Sequence, residues 1–285
     1  MGEPNFGGRR GCRLVVEADG FAVCEQHCDE HRACWVGPGH RPGYTLNLLR
    51  TGGFEVRVDG REHFLDPTVA SFEWPGQELY VAHPLGPCAV ATLISVPEDV
   101  GAGELANRVA GAVPRTGRFE LWHWALVAAC RRGVDAFEVA ERAWALLDLL
   151  PSQREQPVVH GIRPGTELAH RRLVSAAREV LVAGEYSLSL GEVAGHVGCS
   201  AAHLSRVFRR TTGRSMTSYR NELRVRAVLR DLTDGATSLR TLAATYGFAD
   251  QAHLSRVAKK SLGMAPSRAR TMLSAPSAKG RSAKG

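Results

Sequence analysis

The sequence predicts a two-domain α+β protein. The first half reads as a small β-barrel or sandwich followed by a helical hairpin, and the second as an all-α domain with two helix-turn-helix units. Three observations carry this. The pentapeptide His203-Leu204-Ser205-Arg206-Val207 recurs at His253-Leu254-Ser255-Arg256-Val257, each time behind a short helical pattern and a glycine, which is a tandem helix-turn-helix signature. Residues 12–95 hold many short apolar and β-branched segments separated by turn residues, as sandwiches and small barrels do. Charge also divides the chain: residues 1–165 carry a net −5, residues 166–273 a net +9 and residues 274–285 a net +3. The basic half suits a phosphate backbone.

In chain order, the start Met1-Gly2-Glu3-Pro4-Asn5 is followed by no apolar stretch, so a signal peptide is not expected. No apolar run approaches the roughly 20 residues of a membrane span. The expected compartment is the cytoplasm, where the seven cysteines stay reduced. Strands are predicted at 13–17, 44–49 and 54–58, then at 62–65, 69–72, 79–82 and 89–96. Asp59-Gly60 between two of them is a hairpin signal.

From residue 116 the period changes to that of helices. Thr116 is placed to cap a helix running to about Arg132, and Asp135 with Glu138 forms a capping-box-like start for a second. Phe137, Ala140, Trp144 and Leu147 share one face of the second helix. Two readings stand for this pair, a dimer contact or packing on the β domain. The Pro- and Gly-bearing stretch 151–165 reads as a linker, which gives domains at 1–150 and 166–273 and a disordered basic tail at 274–285.

In the second half Thr166 is predicted to cap a helix stopped at Gly184. Ser189 with Glu192 forms a capping box for the next, Gly198 makes the turn, and Ser200 caps a helix over 201–211. There Leu204, Val207 and Phe208 face inward. Ala202, Ser205, Arg206 and Arg209 stay outside, on the turns where a recognition helix meets base edges. A long helix, Ser215 to Leu232, turns Tyr219, Leu223 and Ala227 inward. The second unit repeats the plan, with Gly247 at its turn and Gln251, Ala252, Ser255, Arg256 and Lys259 exposed.

The long helix spans roughly 27 Å at 1.5 Å per residue. Reading helices held about one DNA turn apart, roughly 34 Å, enter consecutive major grooves. Arg206 and Arg256 suit bidentate pairing with guanine and Gln251 with adenine. Ser205 and Ser255 suit base or phosphate. Arg209, Arg210, Lys259 and Lys260 suit phosphates, which add affinity without sequence information.

This half resembles the C-terminal domain of the AraC/XylS family of bacterial transcription regulators over about 100 residues. The resemblance rests on Gly198-Cys199-Ser200, His203 to Gly213, Tyr219, Leu223-Arg224-Val225-Arg226-Ala227, Gly247 to Arg256 and Gly263-Met264-Ala265-Pro266. It implies promoter binding by both units and control of transcription, with RNA polymerase as a partner and a homodimer as the expected state. The family's base-reading positions fall on Ala202, Ser205 and Arg206, then on Gln251, Ala252, Ser255 and Arg256. Departures are Ala252, Leu254 and Ala258, where the family often has a hydroxyl residue at the first and aromatics at the other two. The lost aromatic at Ala258 predicts a looser second unit. Alanine at both 202 and 252 shifts some specificity to DNA shape.

Residues 44–87 resemble the cupin-like domains attached to many such regulators, through Gly52 to Gly60, Asp66-Pro67, Pro75-Gly76 and His83-Pro84. This implies a β-barrel whose mouth holds a small-molecule effector. No His-x-His occurs in 1–95, so a metal-using cupin enzyme is not expected, and no cofactor is predicted. Cys24, His27, Cys28, His31 and Cys34 lie within eleven residues. They leave open a metal site, a thiol redox sensor, or small buried cysteines beside a polar loop. As a strand, Cys24, Cys28 and Cys34 would share one face and His27 and His31 the other. Cys88 is placed to approach Cys24. The leading reading is a signal-responsive regulator of double-stranded DNA and not an enzyme. The alternatives are a metal- or redox-sensing regulator and a DNA-repair methyl acceptor.

Overall fold

The computed structural model describes residues 10–18, 20–28, 32–83, 89–152, 164–183, 186, 188–236 and 238–274. Nine strands come first: β1 Arg10–Ala18, β2 Phe21–Cys28, β3 Arg32–His40, β4 Gly43–Thr51, β5 Phe54–Val58, β6 Arg61–Leu65, β7 Val69–Glu73, β8 Glu78–His83 and β9 Ala89–Pro97. After them come α1 Glu98–Gly101, β10 Gly111–Pro114, α2 Gly117–Arg132 and α3 Ala136–Leu147. The helical half holds α4 Pro164–Val182, α5 Leu190–His196, α6 Ala201–Thr212, α7 Met216–Thr233, α8 Leu239–Thr245, α9 Gln251–Leu262 and α10 Pro266–Ser274.

The strands form two antiparallel sheets, ordered β1-β2-β9-β4-β7-β10 and β3-β8-β5-β6. The expected barrel is therefore two open sheets, with no closed ring among the described residues. β4 explains the layering, because eight of its nine residues are buried. Leu46 and Leu48 join the core under the helical hairpin. On the opposite face Leu49 joins a cluster between the sheets with Phe54, Val56, Leu65, Leu79 and Val81. A strand buried on both faces loses polar–apolar alternation. The β5–β6 hairpin turns at Asp59 and Gly60, both with positive φ (48° and 76°), as a type I′ turn requires.

Strands β2 and β3 and the short β10 went unpredicted. β2 contains Cys24-Glu25-Gln26-His27 and β3 contains Gly37-Pro38-Gly39, compositions that read as loop. Pairing overrides them: β2 lies between β1 and β9, and β3 pairs with β8.

The hairpin caps form as predicted. Thr116 accepts from the Phe119 amide and Asp135 from the Glu138 amide. The Glu138 side chain turns to Arg142 instead of completing a box. α2 is buried on most sides between Phe119 and Ala129, with Glu120 and His123 among its buried residues. Phe119 and Leu126 pack with the β domain and α3. Leu121, Trp124, Ala125 and Ala128 pack with α7, α9 and the last helix. The hairpin thus packs on the β domain through one face and on the helical half through another. The apolar face read on α3 is divided, with Leu147 buried, Ala140 and Trp144 half-buried and Phe137 64% exposed.

Two buried carboxylates join the halves. Glu120 on α2, 1% exposed, accepts from Trp124 Nε1 at 2.8 Å, Arg115 Nη2 at 2.9 Å and Arg226 Nε of α7 at 3.1 Å. Arg115 also donates to the Leu49 carbonyl, and Arg226 to the Arg115 carbonyl. Asp66, after β6, is fully buried. It accepts from Arg178 Nε of α4 at 2.7 Å and from the Tyr219 hydroxyl of α7 at 2.6 Å. Burial pushes its pKa up, but Arg178 and these hydrogen bonds outweigh that and hold it below the ordinary carboxylate value. Glycine allows the closest approach. A Cβ on Gly117 would lie 2.2 Å from the Ser261 carbonyl oxygen and 2.7 Å from the Leu262 Cα of α9.

Glu120→Ala should lower unfolding stability by about 3–5 kcal/mol in denaturant melts, since it strands two buried arginines. Gly117→Ala should cost about 1–3 kcal/mol by overpacking. Gly191→Ala in α5, whose Cβ would meet only the Ser189 Oγ at 3.9 Å, should cost nothing. Burial and the nearby Glu55 of β5 push Glu179 of α4 up to about 7. A carboxyl raised in the folded state stabilises below its unfolded pKa, and that contribution is lost as pH rises through 7. Glu179→Gln should therefore melt closer to wild type at about pH 5 and above it at about pH 8.

Candidate nucleic-acid interface

Each reading helix is fixed by local rules. Ser189 and Glu192 form the capping box of α5, and Gly198 turns at φ 69°. Ser200 caps α6 through the His203 amide. In the second unit Ser238 caps α8, Gly247 turns at φ 67° and Asp250 caps α9 through the His253 amide. The connection has four residues in the first unit, 197–200, and five in the second, 246–250. Thr166 lies inside α4, which begins at Pro164, because proline is favoured in a first helical turn. Gly184 lies outside the described residues.

Ala202, Ser205, Arg206, Arg209 and Arg210 are exposed on α6. Gln251, Ala252, Arg256, Lys259 and Lys260 are exposed on α9, while Ser255 is half-buried. Contacts with the β domain thus leave both faces open. Arg206 Nε donates to the Ala202 carbonyl at 3.3 Å, which lays its guanidinium back along its own helix. Arg209 with Arg210 and Lys259 with Lys260 occupy the last turns of their helices, where the helix dipole favours cations.

The two cores close differently. In the first, Phe208 and Tyr219 pack at 5.4 Å between ring centroids within a cluster that takes Phe64 from the β domain. In the second, Ala258 is buried without an aromatic partner of its own position. Its cluster includes Leu121, Trp124, Ala125 and Ala128 of α2, so apolar volume comes from the other half.

Arg224, within the Leu223–Ala227 stretch of α7, positions both units. It donates to the Gly247 carbonyl at 2.9 Å and to the Tyr186 carbonyl. It thereby ties the second turn and the approach to α5 to one point on α7. Burial and then Arg220 push its pKa down to about 10, so it stays charged at neutral pH. Tyr246 and Arg230 add a second tie: the Tyr246 hydroxyl donates to Asp231 at 2.6 Å and accepts from Arg230 at 2.8 Å. The signal available in the sequence was an arginine at an inward position of a helix, which demands buried carbonyl or carboxylate partners.

Among the described residues the cysteines and histidines of 24–34 do not gather into one site. Cys28 is buried with its Sγ 3.5 Å from His83 Nε2. Cys34 is exposed, and His27 pairs with Glu25 at 2.9 Å. Among the described residues no three His, Cys, Asp or Glu side chains gather as a metal set. His31 and Cys88 lie outside the described residues. The cavity between the sheets is lined by Cys28, Arg41, Asn47, Phe54, Glu73 and His83, and holds about 30 Å³.

Two exposed reading helices on one scaffold define the second half as a tandem helix-turn-helix DNA-binding domain. Residues 193–272 match the family model described as a helix-turn-helix domain. The arabinose operon regulatory protein of Escherichia coli K12 is 29% identical over 122 residues. That match covers 43% of this chain, and the chain spans about two fifths (41%) of the relative's length. Among solved structures, ToxT from Vibrio cholerae O395 aligns over 91% of this chain and 100% of its own, at 12% identity and a TM-score of 0.36. An AraC-type regulator from Chromobacterium violaceum aligns over 39% of this chain and 99% of its own, at 21% identity and a TM-score of 0.34.

Arg224→Met keeps the side chain's length and removes its donors. Two carbonyls lose their partners, at about 1–3 kcal/mol each where buried. Hydrogen exchange should accelerate at Gly247–Asp250 while the protection of α6 persists.

Proposed function

We propose that this protein is a sequence-specific transcription regulator that lays α6 and α9 into consecutive major grooves of promoter DNA. The observation that carries this is the Ser-Arg pair at the same place on two helices, with both arginines exposed and both helices held by α7. Arg206 and Arg256 read guanine and Gln251 reads adenine. Ser205 contributes a base or phosphate contact, as does Ser255 through its exposed part. Arg209, Arg210, Lys259 and Lys260 hold phosphates. Ala202 and Ala252 offer methyl contacts only, so part of the specificity rests on DNA shape.

The first half receives a signal and passes it to the helical half through Glu120, Asp66 and Gly117. Its partners are then double-stranded DNA, RNA polymerase and a second copy of the chain. The protein acts in the cytoplasm and performs no catalysis. Among the described residues no helix is long and apolar enough to cross a membrane. The regulatory name of the Escherichia coli relative supports this reading.

Selection from a random DNA pool should return two half-sites about 10 base pairs apart. Arg206→Ala combined with Arg256→Ala should abolish sequence preference while leaving the melting curve unchanged. Undiminished specific binding in a gel shift would sink the recognition assignment. Lys259→Ala should instead weaken all sequences alike and reduce the salt slope by about 1.

A further inference from the structure

A cleft of about 510 Å³ opens where three elements meet: the start of α2, the start of α7 and the end of α9. Its lining includes Arg115, Arg214, Arg226, Lys260, Ser218 and Asn221. Two comparisons decide what it suits. The first is size: small-molecule sites run about 300–1,000 Å³, and the cavity between the sheets, at about 30 Å³, has room for about one water. The second is charge. Four cations line the cleft, and the carboxylates that pair with them are Glu120 and Glu222, so two positive charges remain in excess. Arg115, whose side chain is 1% exposed, keeps its Nε without a hydrogen-bond partner. Lys260 is exposed and forms no ion pair among the described residues.

We propose that this cleft binds a small oxyanion, a phosphate ester or polycarboxylate, as an effector of the regulator. The inference deepens the signal-response reading above and moves the ligand from the space between the sheets to the joint between the halves. The ligand would touch the β domain at Arg115, α7 at Ser218 and Asn221, and the second reading helix at Lys260. Binding there brings Lys260 toward the ligand and away from DNA phosphate. It also braces the contact of Gly117 with Ser261, so occupancy sets the pose of α9. The chemistry of an oxyanion is shared with the DNA backbone, and the test separates the two sources.

Titration calorimetry on the full chain uses inorganic phosphate, pyrophosphate, glucose 6-phosphate and citrate in turn. At least one should bind saturably in the micromolar to low millimolar range. Thr217→Glu places a carboxylate on the exposed first turn of α7, at the cleft lining. An acid there favours the helix, so the melting temperature should hold or rise while the probe's affinity falls at least tenfold. Thr217→Gln should bind as wild type does. No saturable binding by any probe, or equal binding by Thr217→Glu, overturns the proposal. Thr217→Glu weakening duplex DNA while no small anion binds would assign the cleft to the DNA backbone and also overturn it. These readouts need no operator, so they stand if the recognition assignment fails.

Discussion

A single buried carboxylate, Glu120, organises the junction on which the rest of the structure depends. Removing it from water costs several kcal/mol, and three donors offset that cost: Arg115, Arg226 and Trp124 Nε1. Each donor belongs to a different structural task. Arg115 reaches the Leu49 carbonyl of the central strand, Trp124 packs in the helical half, and Arg226 sits on the helix that joins the two reading units. His123 completes the network as a neutral ring. Burial and then Arg115 hold its pKa well below the ordinary value, so Nδ1 accepts from Arg115 and Nε2 donates to Thr92. Such a network adds little net stability, while removal of one member strands the charges that remain.

Asp66 repeats that logic at the first unit, with Arg178 and Tyr219 as partners. Each helix-turn-helix unit therefore meets the β domain on its own terms. The first is met by a loop carboxylate and Phe64, and the second by a whole helix and the close approach at Gly117. The reading faces stay exposed in both. α2 and α9 approach at backbone distance where Gly117 meets Ser261 and Leu262.

The two units differ because their cores differ. Phe208 lets the first fill its volume with Tyr219. Ala258 leaves the second unit dependent on α2, with Trp124 and Leu121 in its cluster. The sequence departure that predicts a looser unit thus becomes the place where the other half docks. Identical Ser-Arg pairs accordingly sit on helices whose cores are filled by different neighbours.

Local chemistry made much of this legible from sequence alone. Thr116, Asp135, Ser189, Ser200 and Ser215 satisfy amides three residues away, and Gly198 and Gly247 supply the left-handed turns. Seven strands announced themselves by composition, and the repeated pentapeptide placed the candidate reading residues. What the sequence could not settle depends on partners distant in the chain. β2 and β3 are strands only because neighbours pair with them, and on them Cys28 lies buried beside His83, His27 pairs with Glu25 and Cys34 is exposed. α2 has two apolar faces, and only packing shows that the second belongs to the other half. Arg115, Arg226 and Asp66 look in the sequence like surface charges. Their burial is decided by tertiary contacts up to 153 residues apart along the chain, because the favourable energy of a buried ion exists only when its counter-ion arrives with it.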